Sequence, residues 1–104
     1  MRILKENTNL SKDAWIKKVS SLIDDTKVSV SYYGDPSGDN KKIKEFNNDK
    51  VKFEVKGNVL VFTSSKRDVI SITIKGGNFY DRHSLGTDHF DYTNDAFSVS
   101  IIAD

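Results

Sequence analysis

The sequence predicts an α+β domain in which one N-terminal amphipathic helix packs on a curved antiparallel β-sheet of five to seven strands. Three observations lead there. One segment, residues 12–25, carries helical periodicity behind a capping signal. The later apolar segments mostly alternate with period two between short turns rich in Gly, Asn, Asp and Ser. No second helical pattern separates them, so parallel crossovers have nothing to be built from. A small barrel closed on the helix is the structural alternative. The 104 residues fit one compact domain, residues 1–104, with a single core and no room for a separate cofactor domain.

The helix comes first. Ser11 is a good N-cap, and Leu10 with Trp15 matches a hydrophobic staple across it. Asp13 favours the positive end of the macrodipole. Trp15, Val19, Leu22 and Ile23 recur at helical spacing, with Ile16 widening the stripe. Trp15 is expected in the core.

Strands follow. KVSVSYY, residues 27–33, alternates and is followed by the loop GDPSGDN. KKIKEFNNDK reads either as an edge strand protected by lysines or as more loop. VKFEVKGNVLVFTS is a hairpin turning at Gly57-Asn58, with Val55 facing Leu60 and Phe53 facing Phe62. VISITIK joins the same apolar face if the SSKRD connection is odd in length or bulged. GGN is a turn, FYDRH and DHFDY form two short strands around SLGT, and FSVSII is the last strand.

Composition narrows the function. The chain contains no cysteine, which removes disulfides and thiolate metal sites. No window approaches the roughly 20 apolar residues of a membrane span, and MRILKENTNL does not read as a secretory signal. A cytoplasmic location is the default expectation. The net charge of +1 conceals an asymmetry: residues 1–75 hold 15 Lys+Arg against 10 Asp+Glu, whereas residues 76–104 hold Arg82 against five aspartates.

The stretch NFYDRHSLGTDHFDYTND holds both histidines. With His83 opposite His89 and Asp81 opposite Asp91, two imidazoles and two carboxylates would form a zinc, manganese or iron site. A shift of one residue pairs His83 with Asp88 instead and separates the histidines. The spacing matches no established metal motif, so the alternative to a metal site is an acidic hairpin with solvated or turn-capping aspartates. No cofactor is expected. Gly76-Gly77 is too short to cradle a phosphate, and no nucleophile elbow is present.

Two binding readings remain. Lys41, Lys42 and Lys44 lie among lysines that could track a nucleic-acid backbone, with Tyr32 and Tyr33 as a stacking platform. Asp81, Asp88, Asp91 and Asp95 offer an acidic surface to the basic groove of a protein partner. Abundant Lys, Asn, Ile and Asp with little Arg, Ala or Pro suggests an AT-rich coding sequence. In composition and length the chain is similar in style to phage or mobile-element accessory proteins of low-GC bacteria, among them inhibitors of host defence such as anti-CRISPR proteins. That similarity implies a non-catalytic binding protein acting on a host nuclease or defence complex in the host cell cytoplasm. It transfers no residue roles. Lysine-mediated nucleic-acid binding is the alternative, followed by a metal-dependent enzyme built on the His/Asp hairpin.

Overall fold

In chain order the elements are β1 (Lys5–Leu10), α1 (Lys12–Asp25), β2 (Val28–Gly34), β3 (Lys42–Asp49), β4 (Lys52–Lys56), β5 (Val59–Thr63), β6 (Val69–Thr73), β7 (Asn78–Ser84), β8 (Thr87–Thr93) and β9 (Phe97–Ala103). They come from a computed structural model that describes residues 5–34, 41–84 and 86–103, with backbone alone for residues 5–8, 83 and 84. The strands form two sheets. One has six strands in the order β1-β7-β8-β9-β2-β3, and the other has three in the order β4-β5-β6. Every pairing is antiparallel. The class is therefore the α+β arrangement read from the sequence, with the sheet divided in two and nine strands among the described residues. The closed barrel does not form.

The helix follows its pattern. Ser11 has extended backbone, and its hydroxyl accepts from the Ala14 amide at 3.2 Å. Trp15, Val19 and Ile23 are buried, while Ile16 and Leu22 pack beside them half-buried. The Trp15 indole N–H donates to the Tyr80 carbonyl at 3.3 Å, and its ring tilts against Phe79 with centroids 5.3 Å apart. Lys12 donates to the Asn58 side chain in the β4–β5 turn. The helix thus touches β7 in the large sheet and β4 in the small one.

A single apolar cluster joins the layers: Trp15 and Val19 from α1, Leu60, Phe62, Ile70 and Ile72 from the small sheet, and Val30, Tyr92, Val99 and Ile101 from the large one. Helix and small sheet together cover one face of the large sheet, here called the inner face. The small sheet reproduces the hairpin register, with Val55 opposite Leu60 and Phe53 opposite Phe62. Gly57 supplies the positive φ, +63°, that a primed turn requires. The odd SSKRD connection brings Ile70 opposite Phe62 and Ile72 opposite Leu60. Arg67 there adopts φ +70°, a left-handed value uncommon outside glycine.

One element departs from expectation and another resolves an alternative. β1 precedes the helix and pairs with β7, although KENTNL shows no alternation. The ambiguous KKIKEFNNDK is an edge strand rather than loop, and register shifts against β2 interrupt it. Asn48 at φ +46° marks one shift, where its amide bonds the Ser29 hydroxyl. Gly34 ends β2; the rest of the GDPSGDN loop, residues 35–40, lies outside the described residues.

Candidate functional site

The β7–β8 hairpin decides where the candidate side chains go. Ser84 pairs with Thr87, so the tip is two residues long, with Gly86 at φ +74°. In this register His83 pairs with Asp88 and Arg82 with His89; Asp81 faces Phe90 and Asp91 faces Tyr80. The arrangement with His83 opposite His89 and Asp81 opposite Asp91 is not the one adopted. Its failure has a simple cause. The observed register puts Phe79 opposite Tyr92, with Phe90 on the same side, so three aromatic rings reach the core together. Pairing the histidines would separate Phe79 from Phe90 and Tyr92 and turn part of the aromatic set to water.

The same register divides the proposed metal ligands. Asp81 lies on the inner face beneath α1, 2% exposed, with its Oδ2 3.4 Å from the Lys18 Nζ. Asp91 and His89 lie on the outer face, so one ion cannot be held by Asp81 and Asp91 together. Among the described residues no group of three or more His, Asp or Glu side chains is placed to hold a metal.

On the outer face Asp91 is the centre of a polar network. It is 7% exposed although no element among the described residues covers this side of the sheet, because its neighbours close over it. Oδ1 accepts from the Ser100 hydroxyl at 2.6 Å and lies 2.8 Å from His89 Nε2. Oδ2 lies 2.9 Å from Arg82 Nε. That last contact is an ion pair without hydrogen-bond alignment, since the Arg82 Nε–H has no acceptor among the described residues. Burial pushes the Asp91 carboxyl up, but hydrogen bonds from His89 and Ser100 and the charges of His89 and Arg82 together hold it below its ordinary value. The network is not a nucleophilic relay. Ser100 donates its hydrogen bond to the Asp91 carboxylate rather than to the His89 imidazole, so the serine–histidine–carboxylate order of such a relay is not formed.

The four aspartates read as one acidic surface are dispersed. Asp81 is inside, Asp91 is engaged on the outer face, and Asp88 and Asp95 are exposed at opposite ends of β8. Those ends are separated by roughly 20 Å of strand. Asp81 and Asp88 do line a common cleft with Asp25 at the end of α1. Its volume is about 530 Å³, and Leu22, Phe90 and Ala103 supply its apolar walls. Nothing local marks Asp25 as a neighbour of Asp81, because it ends the helix more than fifty residues earlier in the chain. The last turn of α1 contains no basic residue, so Asp24 and Asp25 add negative charge to the negative end of its dipole.

The lysines are exposed and partly occupied. Lys41 and Lys42 stand at the start of the β3 edge. Lys42 pairs with Glu45 at 3.0 Å, which raises its pKa, and lies 5.9 Å from the Tyr33 ring centre. Lys44 donates to the Val69 carbonyl of the small sheet. Tyr32 and Tyr33 do not form one platform. Tyr32 packs edge-on against Phe97 toward the core, whereas Tyr33 belongs to the outer face.

Fold and surface together define an α+β domain: two antiparallel sheets and one helix around a common core, with an acidic cleft on one side and, on the other, a polar sheet face that no element among the described residues covers. No family model, curated protein or solved structure matches the chain. No helix among the described residues is long and apolar enough to cross a membrane.

Proposed function

We propose that the chain is a non-catalytic binding protein that occupies a basic surface of a macromolecular partner. The observation that carries the reading is the cleft between the end of α1 and β8, where Asp25, Asp81 and Asp88 meet apolar walls from Leu22, Phe90 and Ala103. Lysine and arginine have the matching chemistry, an aliphatic stem for the walls and a cationic head for the carboxylates.

The concrete form of the proposal is a phage or mobile-element inhibitor that covers a basic, nucleic-acid-facing groove of a host nuclease or defence complex in the host cytoplasm. Composition and length support that version. The lysine-mediated nucleic-acid reading has weaker support, because Lys42 and Lys44 are engaged within the chain.

Parallel capture from bacterial lysate tests the reading, using the wild-type chain and an Asp25→Asn/Asp88→Asn variant. Both positions are exposed, so the substitutions should leave folding intact. A basic protein retained by the wild type, released by salt and lost with the variant is the expected result. Equal retention by both would remove the cleft from the account. Retention of nucleic acid alone, abolished by changing Lys41, Lys42 and Lys44, would replace it with the lysine reading.

A further inference from the structure

On the opposite side of the large sheet, β7, β8, β9 and β2 form a trough of about 350 Å³. Tyr80 and Tyr33 stand on its outer strands, and Thr93, Ser98 and Ser100 line its floor. Arg82 projects from β7 into the same space. We infer that this trough is a binding site for the oxyanion group of a small ligand, a carboxylate or a phosphate, centred on the Arg82 guanidinium. The inference goes beyond the binding reading above and uses a different face.

The argument turns on what Arg82 is doing there. An arginine placed only to neutralise a buried carboxylate is expected to grip it with two aligned N–H groups. Arg82 instead brings its Nε to Asp91, at 2.9 Å and without hydrogen-bond alignment. Asp91 is meanwhile held by Ser100 and His89 on its other oxygen. Asp91 therefore acts as an anchor for Arg82. Fixing the guanidinium through its Nε leaves the Nη groups as the part of the fork able to meet an anion. About a third of the side chain, 35%, is exposed, which gives a ligand access.

The surroundings suit an oxyanion. Hydroxyl groups of Tyr33, Tyr80, Thr93 and Ser98 are all able to donate to acceptor oxygens. Among the described residues the one carboxylate lining the trough is Asp91, whose oxygens are already taken up by Ser100, His89 and Arg82. The volume lies at the lower end of the small-ligand range. The tyrosine rings would add contact to any ligand with a planar or sugar-like body attached to its anion.

Amide NMR titration of the full chain tests the site, with inorganic phosphate and acetate as probes and chloride at matched ionic strength as control. Saturable shifts confined to Tyr33, Tyr80, Arg82, Thr93 and Ser98 are expected with one or both oxyanions. A stronger response to phosphate assigns a tetrahedral group, and a stronger response to acetate assigns a planar one. Arg82→Lys keeps the charge above Asp91 but removes the fork, and it should weaken binding roughly tenfold or more. Tyr80→Phe and Ser98→Ala, which leave the Asp91 network intact, should each weaken it by a smaller factor and serve if Arg82→Lys disturbs folding. Shifts no larger than those with chloride, or affinity unchanged in all three variants, would overturn the inference.

Discussion

Asp81 and Asp91 sit on adjacent, paired strands and are both nearly inaccessible, yet their situations are opposite. Asp81 is buried because α1 lies over it, and it faces the cleft where the helix ends. Asp91 is buried on a side that no element among the described residues covers, closed in by Arg82, His89 and Ser100. The first shows burial imposed by tertiary packing, and the second shows burial built by a local polar network. The inner-face carboxylate lies beside an ammonium from the covering helix, while the outer-face carboxylate is held by hydrogen bonds and charges from its own sheet.

The largest expected effect lies on the inner side. Trp15→Ala should cost about 3–5 kcal/mol in denaturant unfolding, because it empties the joint between helix and sheets and removes the indole bond to Tyr80. A cost below about 1 kcal/mol would mean that the helix is not the lid described here.

Asp91→Asn should come next. Losing a carboxylate that takes bonds from Ser100 and His89 and pairs with Arg82 should destabilise by about 1.5–3 kcal/mol at neutral pH. The effect should depend on pH. The folded-state pKa of Asp91 is depressed, so its stabilisation is fully present above the unfolded value of about 3.9 and disappears as pH falls through the folded value. Unfolding curves of wild type and variant should therefore converge on acidification below about pH 4. A gap that stays constant with pH would contradict the network.

Tyr92→Phe should cost about 1–3 kcal/mol. Its buried hydroxyl accepts from the Lys75 amide and the Asn94 side chain and donates to the Gly76 carbonyl, tying two turns together. Arg67→Gly should act in the other direction, raising stability by up to about 1 kcal/mol, because glycine relieves the φ of +70° in the β5–β6 turn. Thermal unfolding compared with wild type would reveal both.

Legibility in the sequence followed the physics of each element. The helix from Lys12 to Asp25 announced itself because its cap, staple and apolar stripe all agree. The Gly57 hairpin did so because turn and alternation select the same register. β1 gave no signal, since an edge strand such as KENTNL takes its conformation from the backbone of β7 rather than from its own side chains. The candidate sites were harder for a related reason. A slip of one residue in β7–β8 exchanges the faces of Asp81 and Asp91 relative to their partners, and the local sequence admits both the alignment that pairs the histidines and the observed one that pairs His83 with Asp88. The deciding signal was available in Phe79, Phe90 and Tyr92, which share a face in the observed register and not in the one that pairs the histidines. Asp25 and Ser100 could not be found locally, because the fold alone brings them to Asp88 and Asp91.

The register of that hairpin underlies both proposed surfaces, and cross-strand backbone NOEs measure it directly. Contacts between Tyr80 and Asp91 and between Arg82 and His89 are predicted, with His83 opposite Asp88. Contacts between Asp81 and Asp91 and between His83 and His89 would contradict the account, undo both surfaces and restore the ligand set of a metal site.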